Sequence, residues 1–372
     1  MTIALYCPMK PPDHPLASGD REIGRLIAIA LERLGKPSVI ASHLVTWQAT
    51  PNPDTFARLA RASDAEAERL IEAWSSGADR PEAWVTYHLY HKAPDWIGPK
   101  VTGTLDLPYA VIEASRARKR ATDPWAAGFA AAEIALRAAD AVASMHDEDR
   151  QGLADIVTPE RLVSLAPFID AQPFAELPRR PPRPNGPVHL LAVGMMRPGN
   201  KAACYRVLAD ALAKLADLPW HLTIAGDGEA SSEIRPLFDP ARTTFLGCVD
   251  RPTLLDAYRD ADIFVWPAVN EPFGLVFLEA QAAALPVVGG RSRGVPEIVA
   301  DGETGLLVPQ NDPDAFANAL ATLIRTPERR ATFGAAGRTR VLARHDLVPA
   351  TAAIGRLLET SRINHDARRR QR

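Results

Sequence analysis

The sequence predicts an α/β protein with two doubly wound, Rossmann-like parallel-sheet domains. Short apolar runs alternate with helical patterns along both halves of the chain. A segment rich in proline, L-P-R-R-P-P-R-P-N-G-P, separates the halves at 177–187, and 372 residues suit two domains of ~150 residues. We therefore expect an N-terminal domain at 1–176 and a C-terminal domain at 188–345. A last helix with a basic tail, 346–372, is expected to pack back on the N-terminal domain.

The composition is that of an ordinary globular protein, with 47% hydrophobic and 24% charged residues. A formal net charge of −2 gives no field that would attract nucleic acid. No apolar run reaches the ~18 residues of a membrane span, and the start of the chain lacks a signal-peptide pattern. We expect a cytoplasmic protein, with peripheral contact of the basic tail at the inner membrane face as an alternative. The sequence predicts no oligomeric state.

Three cysteines, Cys7, Cys204 and Cys248, are far apart in the chain. They form no C-x-x-C pair and have no histidine cluster beside them, which argues against disulfides and cysteine zinc sites. We expect all three to be buried apolar side chains.

The first domain begins with a strand at 2–7, a loop, a helix and a second strand at 38–41. Ligands of open parallel sheets bind at the carboxyl ends of the strands, which places the S-G-D loop with Gly19 at the binding edge. The alternative is a plain turn in which Ser18 or Asp20 caps the helix.

A helix at 56–74 precedes a third strand, A-W-V-T-Y, which is followed by H-L-Y-H. His88 and His91 therefore lie at the carboxyl end of a strand, where histidine can exchange protons or donate a hydrogen bond. A lone histidine is more often structural, but two at one loop favour a function. A third metal ligand at suitable spacing is not evident in the sequence.

The next strand, at 108–112, leads into E-A-S-R-A-R-K-R. Such a charge run is usually a solvated surface. Because it follows a strand end, Glu113 and Arg116 are also candidate contacts for an acceptor or a phosphate. An alanine-rich helix at 125–139 and a further strand complete the domain.

The second domain repeats the alternation with a strand at 188–193 and a helix at 201–216. Between them lies G-M-M-R-P-G-N-K. Arg197 can bind phosphate oxygens with two nitrogens and Lys201 supplies a point charge, so both are candidates for binding a pyrophosphate. No D-x-D carboxylate pair stands out as a site for a bridging Mg²⁺, and we expect no metal.

A strand at 263–266, an N-E-P-F-G loop and an apolar helix ending near residue 285 form the most informative stretch. Gly274 lacks a Cβ, and the helical amides of Leu275 and Val276 have no intrahelical partner, so this helix start can bind an anion. Glu271 and Glu279 flank it. A bound phosphate would repel these two carboxylates unless they accept hydrogen bonds from hydroxyls, and a nucleotide-sugar provides such hydroxyls. The alternative is that both glutamates are solvated surface charges.

The segments N-E-P-F-G-L-V-F-L-E-A-Q-A-A-A-L-P-V-V and G-V-P-E-I-V-A-D-G-E-T-G-L-L-V-P closely resemble the nucleotide-sugar signature of retaining glycosyltransferases of the family-four type. A-G-D-G-E at 225–229 and F-L-G at 245–247 support the resemblance. It implies the GT-B fold, in which the two domains face a central cleft. It also implies transfer of a hexosyl or related sugar from a UDP-, GDP- or ADP-sugar to a hydroxyl of a glycan, glycolipid or small metabolite, without a cofactor.

The resemblance also implies roles for single residues in the second domain. Glu271 would contact the donor sugar and Glu279 the ribose hydroxyls. The amides from Phe273 to Val276 would bind the phosphates, and Arg197 and Lys201 would neutralise the pyrophosphate.

In the first domain, Gly19 would leave room for the pyrophosphate. His88 would lie under the transferred sugar, and His91 competes for that place because H-L-Y-H replaces the usual histidine-glutamate pair. A second departure is Met195, where relatives often carry an arginine that Arg197 would replace. Alternative functions are an epimerase, a phosphorylase, or a silent protein that only binds nucleotide-sugar.

Overall fold

The structure is a computed structural model that describes residues 2–16, 18–75, 77, 79–178 and 186–371. Residues 179–185 of the predicted linker lie outside the described residues. The chain forms two compact units, the first made of Met1–Ala166 with Leu347–Arg372 and the second of Pro167–Asp346. Each unit contains a six-stranded sheet in which all paired strands are parallel. The prediction of two doubly wound parallel sheets is confirmed.

The sheet of the first unit has the order β2-β1-β3-β4-β5-β6. Its strands are β1 (Ile3–Tyr6), β2 (Ser38–Ser42), β3 (Ala83–Leu89), β4 (Tyr109–Ala114), β5 (Ala141–Ser144) and β6 (Leu162–Ser164). The α-helices of this unit are α1 (Gly19–Arg33), α2 (Pro53–Ser75), α3 (Ile97–Leu105), α4 (Ala126–Ala138), α5 (Asp147–Leu153) and α14 (Leu347–Arg370).

The strand order of the first sheet reverses at β1, because β2 lies on one side of it and β3 on the other. Both β1 and β3 are almost entirely buried, which explains their near-continuous apolar sequences. The crevice at such a reversal is where open α/β sheets bind ligands. Helix α1 starts there at Gly19, and the Ser18 Oγ accepts a hydrogen bond from the Arg21 amide at 3.3 Å, so Ser18 caps the helix.

The sheet of the second unit has the order β12-β11-β10-β7-β8-β9. Its strands are β7 (Val188–Val193), β8 (Trp220–Ala225), β9 (Thr243–Gly247), β10 (Ile263–Trp266), β11 (Val287–Gly290) and β12 (Gly305–Val308). The α-helices are α6 (Gln172–Ala175), α7 (Asn200–Ala213), α8 (Ser231–Ile234), α9 (Arg251–Asp260), α10 (Leu275–Ala282), α11 (Val295–Ile298), α12 (Pro313–Arg325) and α13 (Pro327–Arg344).

In this second sheet the strand order reverses between β7 and β10. Trp266, at the end of β10, is fully buried and packs edge-to-face on Tyr205 with ring centroids 5.1 Å apart. A Cβ at Gly194, just after β7, would lie 2.6 Å from Cη2 of Trp266. The loop after β7 therefore needs glycine at this position to pass over the tryptophan.

The boundary between the units differs from the predicted one. The second unit begins at Pro167 rather than at residue 188. The Ala171 amide donates to Asp346 Oδ1 at 3.0 Å, and Phe174 packs edge-to-face on Tyr258 at 5.3 Å. A proline-rich pattern marks chain without regular structure, but it does not show against which sheet the preceding segment packs. Helix α14 packs against α1, β4 and β5 of the first unit.

The basic tail continues helix α14. It is helical as far as Arg370. Arg368 lies 3.1 Å from Asp140, and Arg369 lies 2.8 Å from Asp106. These carboxylates lie far away in the sequence, which is why the charge run alone did not reveal them.

Cys7 and Cys204 are buried as expected, but Cys248 is exposed, so the expectation of three buried thiols was wrong for Cys248. Among the described residues, no helix combines the length and the apolar character needed to cross a bilayer.

Candidate functional site

The reversal point of the second sheet brings together a cation and a carboxylate predicted from the sequence. Lys201 lies in the first turn of α7, and Glu271 lies on the loop after β10. Lys201 Nζ is 2.5 Å from Glu271 Oε2. Trp266 lies beneath both side chains: its Nε1 is 3.4 Å from the same oxygen, and Lys201 Nζ is 5.3 Å from its ring centroid. A buried indole thus fixes an ion pair at the edge where ligands bind.

The loop that carries Glu271 is held in a strained conformation. Ala268 and Asn270 have positive φ angles of 53° and 49°. The Asn270 amide donates to Gln310 Oε1 at 2.7 Å, and the Ser292 hydroxyl donates to the Glu271 carbonyl at 3.1 Å. Non-glycine residues stay in this region only where the surroundings impose it, which is common at ligand sites.

Gly274 precedes α10 with a φ of +72°. A Cβ there would lie 2.8 Å from Cδ2 of Phe277 and 3.2 Å from Cγ of Glu271. The left-handed backbone and the lack of space both require glycine. The helix begins at Leu275, so the amides of Leu275 and Val276 belong to its first turn, as predicted.

The second segment that resembles the family-four signature begins at Gly294 and contacts this loop. Gly294 N–H donates to the Pro272 carbonyl at 2.9 Å. A Cβ on Gly294 would come within 2.6 Å of that carbonyl oxygen and 3.1 Å of Phe273 Cδ1. Phe273, a predicted donor contact, is half-buried in this arrangement and packs against the core of the second unit. Ser292 and Gly294 were not identified as functional by sequence reasoning.

Glu279 is oriented by a residue that the sequence did not indicate. The Tyr258 hydroxyl, on α9, donates to Glu279 Oε2 at 2.7 Å. Tyr258 is 1% exposed, and burial together with the Glu279 carboxylate raises the pKa of its hydroxyl well above the usual value. The tyrosine therefore stays protonated and remains a donor. Only the regular spacing of apolar residues marks this helix, and that pattern does not distinguish a tyrosine that supports a site from one in the core.

Arg197 is exposed on the loop between β7 and α7. In the part of the chain that the structure describes, its guanidinium has no ion pair or hydrogen bond, whereas its carbonyl accepts from the Ala202 amide at 3.1 Å. The structure thus brings Lys201, but not Arg197, into direct contact with Glu271.

The reversal point of the first sheet holds a second set of predicted residues. His88, near the end of β3, has Nδ1 2.9 Å from Asp20 Oδ1 and Nε2 4.0 Å from Glu113 Oε1. Asp20 lies in the first turn of α1 beside Gly19. The Tyr90 ring stacks on the imidazole with centroids 4.9 Å apart and an angle of 24° between the planes. His88, Glu113 and the S-G-D loop therefore form one cluster.

Charge within this cluster favours protonated His88. Burial lowers the pKa of His88, but the Glu113 and Asp20 carboxylates outweigh burial and raise it to about 9. Burial raises the pKa of Glu113. Burial acts in the same direction on Asp20, yet its bond to His88 keeps the pKa of the Asp20 carboxyl below the ordinary value. These contacts favour the imidazolium form of His88 near neutral pH.

His91 belongs to a different environment. Its ring packs edge-to-face on Trp125 and on Tyr90, each with centroids 5.3 Å apart. Neither ring nitrogen has a hydrogen-bond partner among the described residues. Burial, with Arg120 and Lys92 nearby, lowers the pKa of His91 to about 4. Of the two candidate histidines, the structure places His88 among the carboxylates and His91 among aromatic rings.

Arg116 was a candidate contact for an acceptor or a phosphate, but the structure commits it to other groups. Its Nε lies 2.6 Å from Glu133 Oε1 and its Nη1 lies 3.0 Å from Asp155 Oδ2. Its guanidinium lies 5.5 Å from the ring centroid of Phe129. Two carboxylates offset its charge, so we assign Arg116 a role in the fold. No group of three or more side chains suited to hold a metal occurs in the described ranges.

Residues 187–326 match the family model described as glycosyl transferases group 1. A D-inositol 3-phosphate glycosyltransferase from Kineococcus radiotolerans is 35% identical over 235 residues, which cover 55% of this chain and 54% of that protein. The chain thus spans about half the length of the curated relatives it matches.

Two solved structures share the fold over almost the whole chain. A glycosyltransferase from Rickettsia africae has a TM-score of 0.73 at 18% identity, covering 97% of this chain and 98% of its own. Anabaena HepE in complex with UDP-glucose has a TM-score of 0.69 at 18% identity, covering 97% of this chain and 100% of its own. The chain therefore has the GT-B fold, and the match of residues 187–326 to the glycosyl transferases group 1 model confirms the resemblance to glycosyltransferases of the family-four type.

Proposed function

We propose that the chain is a retaining glycosyltransferase that moves a sugar from a nucleoside-diphosphate sugar to an acceptor hydroxyl. The observation that carries the proposal is the contact between Lys201 and Glu271 beside Gly274 and the first turn of α10. A cation, the amides of the first helical turn and a carboxylate there match a diphosphate linked to a sugar. The group 1 family match over the same residues supports this choice.

In the proposed reaction, negative charge builds on the diphosphate as it leaves the sugar. Lys201 and the amides of Leu275 and Val276 stabilise that charge as it develops, because they are already fixed in place. Arg197 adds a second cation from the loop that precedes α7. Glu271 accepts hydrogen bonds from hydroxyls of the sugar, which replace part of its contact with Lys201.

The nucleoside end of the donor is assigned to Glu279. Tyr258 donates to Oε2 of this carboxylate and orients it, and we assign the carboxylate to the ribose hydroxyls. A tyrosine that cannot ionise near neutral pH keeps the carboxylate in one orientation, which reduces the freedom lost when the donor binds.

Retention follows if the leaving phosphate takes the proton of the acceptor hydroxyl from the same face of the sugar. The enzyme then needs no strong base, which agrees with a protonated His88. His88 is assigned as a hydrogen-bond donor to the transferred sugar, and Gly19 leaves room for the pyrophosphate. Fixed cations neutralise the diphosphate in this scheme, so the proposed reaction is independent of metal ions.

The first experiment screens UDP-, GDP- and ADP-glucose, together with GDP-mannose, for a rise in thermal unfolding temperature. A donor that binds only the folded chain raises its apparent stability, by about 2.7 kcal/mol at a hundredfold excess over Kd. We expect one nucleotide class to stabilise the wild type and to lose its effect in Glu271→Ala. Equal shifts in the two proteins would remove Glu271 from the donor site.

The second experiment measures transfer with the selected donor in the presence of EDTA. The acceptor panel includes D-inositol 3-phosphate, which is named in the relative from Kineococcus. We expect nucleoside diphosphate release that depends on acceptor, and NMR of the product should show the anomeric configuration of the donor. Phosphate-dependent release of sugar phosphate would indicate a phosphorylase, and conversion of donor without acceptor an epimerase. Donor binding without turnover would indicate a silent binding protein.

A further inference from the structure

The first unit surrounds a single histidine with carboxylates from three elements. Asp20 comes from α1 and bonds to Nδ1 of His88, and Glu113 comes from the end of β4 and lies 4.0 Å from Nε2. Asp149, on α5, adds a further negative charge that acts on the ring. Three carboxylates from three elements therefore act on one imidazole.

The backbone at two of these residues is strained. His88 has a φ of +66° and Glu113 a φ of +57°, on neighbouring paired strands. Residues with a Cβ rarely adopt this conformation, and it persists where the surroundings impose it. Both strained residues lie near the carboxyl ends of their strands, so the strain coincides with the binding edge of the sheet.

The two nitrogens of His88 have different surroundings. Nδ1 is occupied by Asp20. Nε2 makes no hydrogen bond with any residue that the structure describes, since 4.0 Å to Glu113 is too long for one. At that distance the carboxylate still favours a positive charge on the ring. The stacked Tyr90 ring fixes the plane of the imidazole.

We propose that Asp20 and Glu113 are positioning residues that hold the His88 ring doubly protonated, with Nδ1–H bound to Asp20 and Nε2–H left to donate to a substrate hydroxyl. The charge state of the ring is a property of the first unit alone. The choice of a hydroxyl as the acceptor of that hydrogen bond rests on the function proposed above. In this arrangement His88 cannot be a general base near neutral pH.

Electrostatics support the geometry. The rise in the pKa of His88 to about 9 overcomes its burial and comes from Glu113, Asp20 and Asp149. The remaining titratable groups around the ring do not counter it: the pKa values of Tyr87 and Tyr90 are raised by burial, so both stay neutral. Lys10 acts on Asp20, where it favours the ionised carboxylate.

The test is a titration of the histidine rings by NMR in the full chain, with ¹⁵N-labelled histidine and the His88 signal assigned by its loss in His88→Gln. In the wild type we expect His88 to titrate well above the ordinary value near 6.5. Asp20→Asn and Glu113→Gln should each lower that midpoint by about one pH unit or more. A wild-type midpoint near 6.5, or a midpoint that neither variant moves, would overturn the proposal.

Asp13→Asn is the matched control, because Asp13 lies 2.8 Å from Nε2 of His43 in an exposed pair of the same unit. It should leave the His88 midpoint unchanged. His345, in the second unit, should titrate at low pH in every variant, since burial lowers its pKa to about 4. If Asp20→Asn fails to fold, Glu113→Gln and the wild-type titration still decide the outcome.

Activity separates this inference from the proposed function. The rate of nucleoside diphosphate release from the selected donor should fall on the alkaline side of its pH profile. In Asp20→Asn this fall should occur at lower pH. A raised His88 midpoint without any release would sustain the positioning role while the proposed transferase function fails. Turnover with an ordinary His88 midpoint would sustain the function and remove the positioning role.

Discussion

Lys201 and Glu271 are 70 residues apart in the sequence, yet their Nζ and Oε2 atoms lie 2.5 Å apart. The two residues follow β7 and β10, the neighbouring strands at which the order of the second sheet reverses. Without a ligand, Lys201 and Glu271 pair with each other. A ligand can replace this pairing if it brings an anion for Lys201 and hydroxyls for Glu271. A diphosphate sugar offers both, so binding can exchange the contacts of this partly buried pair without leaving either charge uncompensated.

Lys201→Ala should weaken binding of the selected nucleoside diphosphate by about 10- to 100-fold, because a charge-assisted contact is worth roughly 1.5–3 kcal/mol. Isothermal titration calorimetry gives the Kd. Lys214→Ala is the control, because it also removes one positive charge from the region of α7. Lys214 directly follows this helix and pairs with Asp314 on the surface at 2.8 Å. Similar affinities for the two variants would exclude Lys201 from the diphosphate site.

Gly274→Ala should destabilise the fold and abolish nucleotide binding. The new Cβ meets Phe277 at 2.8 Å on a backbone with a φ of +72°. Gly302→Ala is the control, since Gly302 has a φ of +78° and nothing within 4 Å of its added Cβ. Both variants lose about 1–2 kcal/mol from the left-handed backbone, and overpacking adds about 1–3 kcal/mol at Gly274 alone. Urea unfolding measures the difference, and equal losses would contradict the packing argument.

Tyr258→Phe should raise the Kd for the nucleoside diphosphate about threefold to tenfold, because Glu279 loses the donor that orients it. The control is Tyr6→Phe, which removes a buried hydroxyl bonded to the Leu44 carbonyl at 2.8 Å in the first unit. Each variant should lose about 1 kcal/mol of unfolding free energy from one hydrogen bond. If binding is unchanged in Tyr258→Phe, the tyrosine has no part in orienting Glu279.

The sequence predicted the elements of the second unit well where an apolar run ends at an unmistakable loop. The observed bounds of β7 (Val188–Val193) and β10 (Ile263–Trp266) are those expected. Gly274 was expected to admit a ligand to the backbone. The structure adds that Phe277 occupies the space of its Cβ, a packing relation that a sequence pattern cannot contain.

Contacts between distant side chains were beyond the sequence. The S-G-D loop and His88 could be placed at one sheet edge because each was predicted at the carboxyl end of a strand, but the bond from Asp20 to His88 depends on backbone angles that no pattern specifies. Arg116 also has partners that the sequence did not indicate. Its charge suggested an anion site, whereas its partners Glu133 and Asp155 are 17 and 39 residues away.

The pKa of His88 makes a prediction about stability as well as activity. A histidine whose folded pKa is raised from 6.5 to about 9 contributes stability that is fully present below the unfolded value and is lost as the pH rises through about 9. The contribution is at most on the order of 3 kcal/mol, since one pKa unit corresponds to about 1.4 kcal/mol. The free energy of unfolding of the wild type relative to His88→Gln should therefore fall between pH 6.5 and pH 9.

His345→Gln is the control for this prediction. The pKa of His345 is lowered to about 4, so the difference in unfolding free energy between His345→Gln and the wild type should be flat over that window and change only at lower pH. Urea unfolding at half-unit pH intervals measures both differences, and a His88 difference that stays constant across the window would mean that the ring is not held as an imidazolium in the folded chain.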